Sequence, residues 1–158
     1  MTGLKMGNFK RTYYFPFKNT IPNYIDNYVK KNSLFKRYLK FIKRRFYIFL
    51  KGQNNLEVLA ILPEHQNILW INISAPSLGD SLMDLSSRVM LKDKNIDLFT
   101  DHKNSNIYED DLFFDRIFTR TKDVVKCTYD LVILDSYSTR SVKVKSKLEP
   151  LTPFLGMY

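Results

Sequence analysis

Cysteine is all but missing from this chain. Cys127 stands alone among 158 residues, which excludes an intrachain disulfide and fits a reducing compartment. Glycine is scarce as well, with five in total. None falls in the Gly-x-Gly-x-x-Gly order of a dinucleotide-binding turn, and no Gly-Lys-Ser/Thr phosphate loop is present. A nicotinamide or P-loop nucleotide site therefore has no support. The two histidines, His65 and His102, are far apart, and no cysteine or carboxylate spacing joins them. A surface role is expected for both, and no metal site. No apolar run reaches the roughly 18 residues of a membrane span. The first twenty residues, MTGLKMGNFKRTYYFPFKNT, lack the apolar core of a signal peptide. A cytoplasmic protein is expected.

What is present is a globular composition, 44% hydrophobic and 26% charged, of about one domain's length. The net charge of +9 is unevenly spread. Residues 1–52 hold thirteen Lys/Arg and one acid, Asp26, for a balance of +12. Residues 53–158 hold twelve Lys/Arg and fifteen acids, for −3. That describes a basic aromatic arm, 1–52, on a nearly neutral domain, 53–158.

Within the arm, Phe35, Leu39, Ile42, Phe46 and Phe49 recur at helical spacing, and Lys36, Arg37, Lys40, Lys43 and Arg44 fall largely off that stripe. Asn32 or Ser33 can cap the start, and Gly52 can end it. The pattern predicts a basic amphipathic helix. Such a helix either lies on an anionic membrane surface through residues 32–51, aromatic face down, or packs on its own domain with a solvated basic face.

Downstream, NNLEVLAILPEHQN is ambiguous between a short helix and a strand. Ile68–Ile73 reads as a buried strand and Ser81–Leu91 as a helix. NIDLFT (95–100) is a second strand, NIYEDDLF a short helix, and RIFT (116–119) a third strand. YDLVILD (129–135) is a fourth, STRSVKVKSKL a helix, and PFLGMY the start of another strand. Strands alternating with helices imply an α/β fold, a Rossmann-like parallel sheet.

In such sheets ligands bind beyond the carboxyl ends of the strands. The loop SAPSLGD after the first strand is therefore the place to look. Gly79 permits a tight turn or a close approach to a ligand. Asp80 sits where the next helix starts, and the dipole there favours its carboxylate form. It can accept a proton from an attacking hydroxyl, or it can simply cap the helix. Asp135 ends a strand at the same edge, where it can touch substrate or cap the next helix. The EDD run (109–111) is expected to be a solvated helix end, and Cys127 an ordinary thiol.

The strand ILWINI, then SLGD, a helix and IDLFT resemble the N-terminal domain of the heptosyltransferase-like glycosyltransferases, family 9. YDLVILDSYSTRS resembles the family's next marked strand and helix, and FDRIF the step between them. The resemblance covers roughly Ile68 to Tyr158. It implies the N-terminal half of a GT-B fold, which binds the acceptor, with Asp80 as general base of a metal-independent, inverting transfer. Ser77 and Gly79 would fix the reacting groups. Ser138 and Arg140 would meet an anionic part of the acceptor. No cofactor is expected; a nucleotide-sugar is the co-substrate, its site on a donor-binding domain that this chain lacks. The chain is thus expected to be a fragment, a truncated reading frame or one half of a split protein whose C-terminal half is encoded separately, and in each case inactive alone. Its acceptor would be a saccharide or lipid-linked saccharide of lipopolysaccharide type, met at the inner membrane; nucleic acid is not expected. Three departures stand out. The loop before Gly79 carries Ala75 and Pro76, LSS (85–87) replaces a proline frequent in the family's helix, and the chain stops at Tyr158. The alternative is a non-catalytic α/β module that associates with membrane or nucleic acid through its basic arm.

Overall fold

The computed structural model describes residues 34–73, 88, 91–124, 127–135 and 137–157. The chain divides into two compact units, Met1–Arg37 and Tyr38–Tyr158. Of the first, only the opening turn of a helix is described. The second carries the sheet. The expected helix at Ser81–Leu91 and the loop before it lie, but for Arg88 and Leu91, outside the described residues.

A helix, α1 (Leu34–Leu50), precedes five strands: β1 (Asn67–Asn72), β2 (Asn95–Thr100), β3 (Arg116–Phe118), β4 (Leu131–Leu134) and β5 (Phe154–Gly156). A one-turn helix, α2 (Thr121–Val124), falls between β3 and β4, and α3 (Thr139–Leu148) between β4 and β5. All pairings are parallel, in the order β3-β2-β1-β4-β5. The fold is α/β and Rossmann-like. β1 is the central strand, and the chain order reverses on either side of it.

The strand sequences explain this placement. Parallel strands covered on both faces are apolar without alternation. In β1, Ile68, Leu69, Trp70 and Ile71 are all buried, as are Leu131 to Leu134 throughout β4. Successive side chains divide between two cores. Leu69, Ile71, Val132, Leu134 and Phe154 join Ile48 of α1 and Val142 and Leu148 of α3 on one face. Ile68, Trp70, Ile96, Leu98, Leu131 and Ile133 join Tyr108 and Phe114 on the other. Each such side chain contributes about 1.5–3 kcal/mol, so the sheet is the main source of stability. The carboxylate of Asp130 fixes the register of β4 on β1. It accepts the N–H groups of Asn67 (2.9 Å) and Gln66 (3.1 Å), and these bonds hold its pKa below the usual range.

Helix α1 ends as its sequence requires. Gly52 takes φ +63°, the left-handed conformation that favours glycine. Its N–H reaches the Phe49 carbonyl and that of Gln53 reaches Ile48, a Schellman stop. Gln53 is thereby buried, and its Oε1 accepts from Lys145 Nζ at 2.5 Å while its Nε2 donates to Pro150 O at 2.9 Å. Lys145 lies wholly inside, 5.1 Å above the Phe154 ring. Burial pulls its pKa down to about 8.

Two expectations are corrected. NIYEDDLF does not form its own helix; a 3-10 helix at His102–Ile107 precedes most of it, and Asp111 instead pairs with Arg88 (2.6 Å) and takes the N–H of Phe113. His65 is buried, because its Nδ1 accepts the Leu62 N–H at 3.1 Å and closes the turn before β1. The ambiguous 54–67 segment forms neither alternative at length before β1 begins at Asn67. It holds one 3-10 turn, Asn54–Leu56, and a bridge from Glu57 to Phe154.

Lys145 has a lower pKa folded than unfolded, so the unfolded chain binds more protons between about 8 and the ordinary lysine value near 10.4. Stability should therefore rise with pH through that window. Urea midpoints at pH 7.5 and 9.5 should show this gain in the native chain, and Lys145→Met should remove it. An equal slope in both would contradict the burial of a lysine here. A Cβ on Gly156 would lie 2.6 Å from Tyr137 Cγ. Gly156→Ala should cost about 1–3 kcal/mol in the same measurement, and a neutral result would show that the ring is free to move.

Candidate functional site at the carboxyl ends of the strands

The strand order reverses at β1, and in open α/β sheets ligands usually bind at such a point, beyond the carboxyl ends of the strands, here those of β1 and β4. Three polar residues line up there. Thr100 closes β2, Asn72 closes β1 directly opposite it, and Asp135 follows β4, its N–H directed at Ile71 O (3.4 Å). Alternation from Trp70 and Leu98 puts Asn72 and Thr100 on one face of the sheet. All three are buried, Asn72 completely and Thr100 to within 1%.

The amide of Asn72, through both its oxygen and its nitrogen, and the hydroxyl of Thr100 have no hydrogen-bond partner among the described residues. An unsatisfied buried group of this kind costs roughly 1–3 kcal/mol, and native interiors keep few of them. Their position at strand ends, where a bound molecule supplies the missing partners, is what makes them candidates.

The elements on either side add charge. Ser138 starts α3: its Oγ accepts the N–H of Ser141 (3.1 Å) and lies 2.9 Å from the Ser141 hydroxyl. Its hydroxyl is thus engaged in capping. Arg140, in the first turn of α3, is exposed and donates Nη2 to both oxygens of Asp101, at 3.1 and 3.4 Å. Asp101 follows Thr100 directly, so Arg140 is held at the same carboxyl edge, from the α3 face of the sheet. An exposed ion pair is worth about 0–1 kcal/mol, and the guanidinium can exchange it for an anionic ligand at little cost. Of the five residues singled out from sequence, Ser138 and Arg140 come together at this edge. Ser77, Gly79 and Asp80 lie outside the described residues; Ile73, at the end of β1, is the last described residue before them. Asn72, Thr100 and Asp101 escaped the sequence reading. The available signal was a polar residue closing an apolar run, in ILWIN and IDLFT.

Two other features are set apart from this edge. A cavity of about 660 Å³ is lined by Leu59, Ile61, Leu62, Trp70, Ile133, Leu155 and Met157, with Lys94 and Pro63. It lies on the Trp70 face of the sheet, and its largely apolar wall lacks the groups that would hold a hydroxylated ligand. The buried carboxylate of Asp97 accepts two bonds from Arg116, at 2.7 and 3.1 Å, and one from Tyr129 Oη at 2.7 Å. Burial, then the bond to Asp97, pushes the Tyr129 phenol far up, and the bond to Asp97 raises Arg116. Neither can exchange a proton near neutrality; the group ties β2, β3 and the approach to β4 together. Among the described residues, no group of three or more His, Cys, Asp or Glu is placed to hold a metal, and no helix is long and apolar enough to cross a membrane.

No protein-family model, no curated protein and no solved structure matches this chain.

If the strand-end groups are kept for a ligand, removing them should stabilise the ligand-free protein. Thr100→Val and Asn72→Leu should each raise the free energy of unfolding by about 1 kcal/mol, read from denaturant midpoints. Destabilisation by either would mean that the group already has a partner.

Proposed function

We propose that the chain is the acceptor-binding, Rossmann-like portion of an inverting GT-B glycosyltransferase, acting on an anionic saccharide. The observation that carries the reading is the amide of Asn72 and the hydroxyl of Thr100, without hydrogen-bond partners among the described residues, at the switch point of a parallel sheet, with Arg140 at the same carboxyl edge. A sugar ring supplies many paired donors and acceptors at short spacing, which is what an amide and a hydroxyl need. An acceptor carboxylate or phosphate suits the guanidinium of Arg140. The resemblance of SLGD and its flanking strands to heptosyltransferases adds the chemistry.

In that chemistry Asp80 takes the proton from an acceptor hydroxyl. The oxygen forms a bond to the anomeric carbon of a nucleotide-sugar as the bond to the diphosphate breaks, and nucleoside diphosphate leaves with the electron pair. The donor is bound by a second Rossmann-like domain. The strand ends hold the acceptor so that only the attacking hydroxyl faces the donor.

Titration of the labelled chain with an anionic 3-deoxy-octulosonate saccharide should shift the amide resonances at Asn72, Thr100, Asp101 and Arg140. Shifts confined to the amino ends of the strands, or to the apolar cavity, would contradict the reading. With a donor-binding half supplied, Asp80→Asn should reduce transfer at least about a hundredfold while leaving those binding shifts in place. Unchanged transfer would remove Asp80 from the mechanism.

A further inference from the structure

The exposed face of α1 carries an inference independent of the sugar site. From Tyr38 onward the helix meets its domain through one side only. Ile48 is fully buried, the Arg44 guanidinium lies 4.1 Å over the Tyr137 ring and donates to the Tyr137 carbonyl, and Arg45 pairs with Glu57 at 2.7 Å. The side chains that the sequence marks as its apolar stripe point elsewhere. Leu39 is 47% exposed, Ile42 43%, Phe46 59% and Phe49 67%, with Tyr38 and Leu50 beside them. At 100° per residue this stripe lies well over a right angle from Ile48. Lys43 is one turn from both Leu39 and Phe46, and Lys40 one turn before Lys43. Both lysines are exposed.

We propose that this face docks α1 on an anionic lipid bilayer, with the aromatic and aliphatic stripe entering the headgroup boundary and Lys40 and Lys43 meeting lipid phosphates. The charge argues for that occupant over the others. The helix has six Lys/Arg and no acid, so pairing it with a second copy through the same face would bring lysine against lysine. Nucleic acid calls for aromatic rings to stack on bases. Here half of the central stripe, Leu39 and Ile42, is aliphatic and fits hydrocarbon. A helix with an apolar stripe, a basic flank and low mean hydropathy is the kind that lies in a membrane interface without crossing it. Because Arg44 is fixed to Tyr137, two residues past Asp135, the bilayer would lie near the carboxyl edge of the sheet.

The test is co-sedimentation of the full chain with phosphatidylglycerol-rich vesicles and with phosphatidylcholine vesicles. Binding is expected to the anionic vesicles, weakening with salt. Phe46→Ser with Phe49→Ser should lower the partition coefficient at least about tenfold. Lys40→Glu with Lys43→Glu should lower it on anionic vesicles only. Urea midpoints should stay unchanged in both variants, since all four residues are exposed. Four results would overturn the proposal. They are no binding by the native chain, native-like binding by the Phe46/Phe49 variant (which would move the anchor to residues 1–33), a dimer that the same variant dissolves, and tighter binding to an oligonucleotide than to vesicles.

Discussion

Tyr137 is held from three sides, and the arrangement of the domain depends on that grip. Its ring lies under the Arg44 guanidinium and against the bare Cα of Gly156, and its hydroxyl donates to Glu57 while Arg45 closes on the same carboxylate. Four separate pieces of chain, α1, the 54–67 segment, the turn after β4 and β5, meet at one phenol. The clamp is partly buried, so its charged hydrogen bonds are stronger than surface pairs. It also settles a choice that apolar burial alone would decide differently. Burying the Phe46 and Phe49 stripe would remove more hydrocarbon from water than burying Ile48. On the side that the helix buries, Arg44 and Arg45 find acceptors in the Tyr137 carbonyl and the Glu57 carboxylate.

The same turn after β4 delivers the chain to the carboxyl edge. Asp135, Tyr137 and Ser138 succeed one another there, so the residue that anchors α1 is next to those that line that edge. The domain thus sets a rigid edge of the sheet between two unsatisfied features. One is the polar row of Thr100 and Asn72, which lacks hydrogen-bond partners among the described residues. The other is the apolar stripe of α1, which no described residue covers. Each costs the free protein something, polar desolvation in the first case and apolar hydration in the second. Proteins retain such costs where a bound partner removes them.

The fold was legible in the sequence where burial on both faces leaves a continuous apolar run. ILWIN, IDLFT and LVIL each gave a strand because no other element buries so short an apolar stretch between turn residues. Gly52 marked the end of α1 for a local reason, a positive φ, whereas α3 is capped by Ser138 and not by Asp135, the cap that the sequence offered. The orientation of α1 was not legible. Helical spacing identifies an apolar stripe but not what it faces, and the deciding partners, Glu57 and Tyr137, are far along the chain from Arg44 and Arg45. His65 misled for a similar reason, since its burial comes from a turn three residues long that composition does not reveal. In the site, Arg140 was named through the family resemblance and not through spacing, and the structure adds its pairing with Asp101. Asn72 and Thr100 were hidden because a polar residue closing a strand is common, and only the register of β1 on β2 sets the two opposite each other.

The central claim is that α1 is bound by its Arg44 and Ile48 side and turns Phe46 outward. Thiol modification tests it most directly: single cysteines at positions 46 and 48 in a Cys127→Ser background, treated with a hydrophilic maleimide under native conditions. The account predicts that the position 46 thiol reacts within a few-fold of a free cysteine, and the position 48 thiol slower by roughly a hundredfold or more, limited by opening of the core. Fast reaction at 48 with protection at 46 would contradict it.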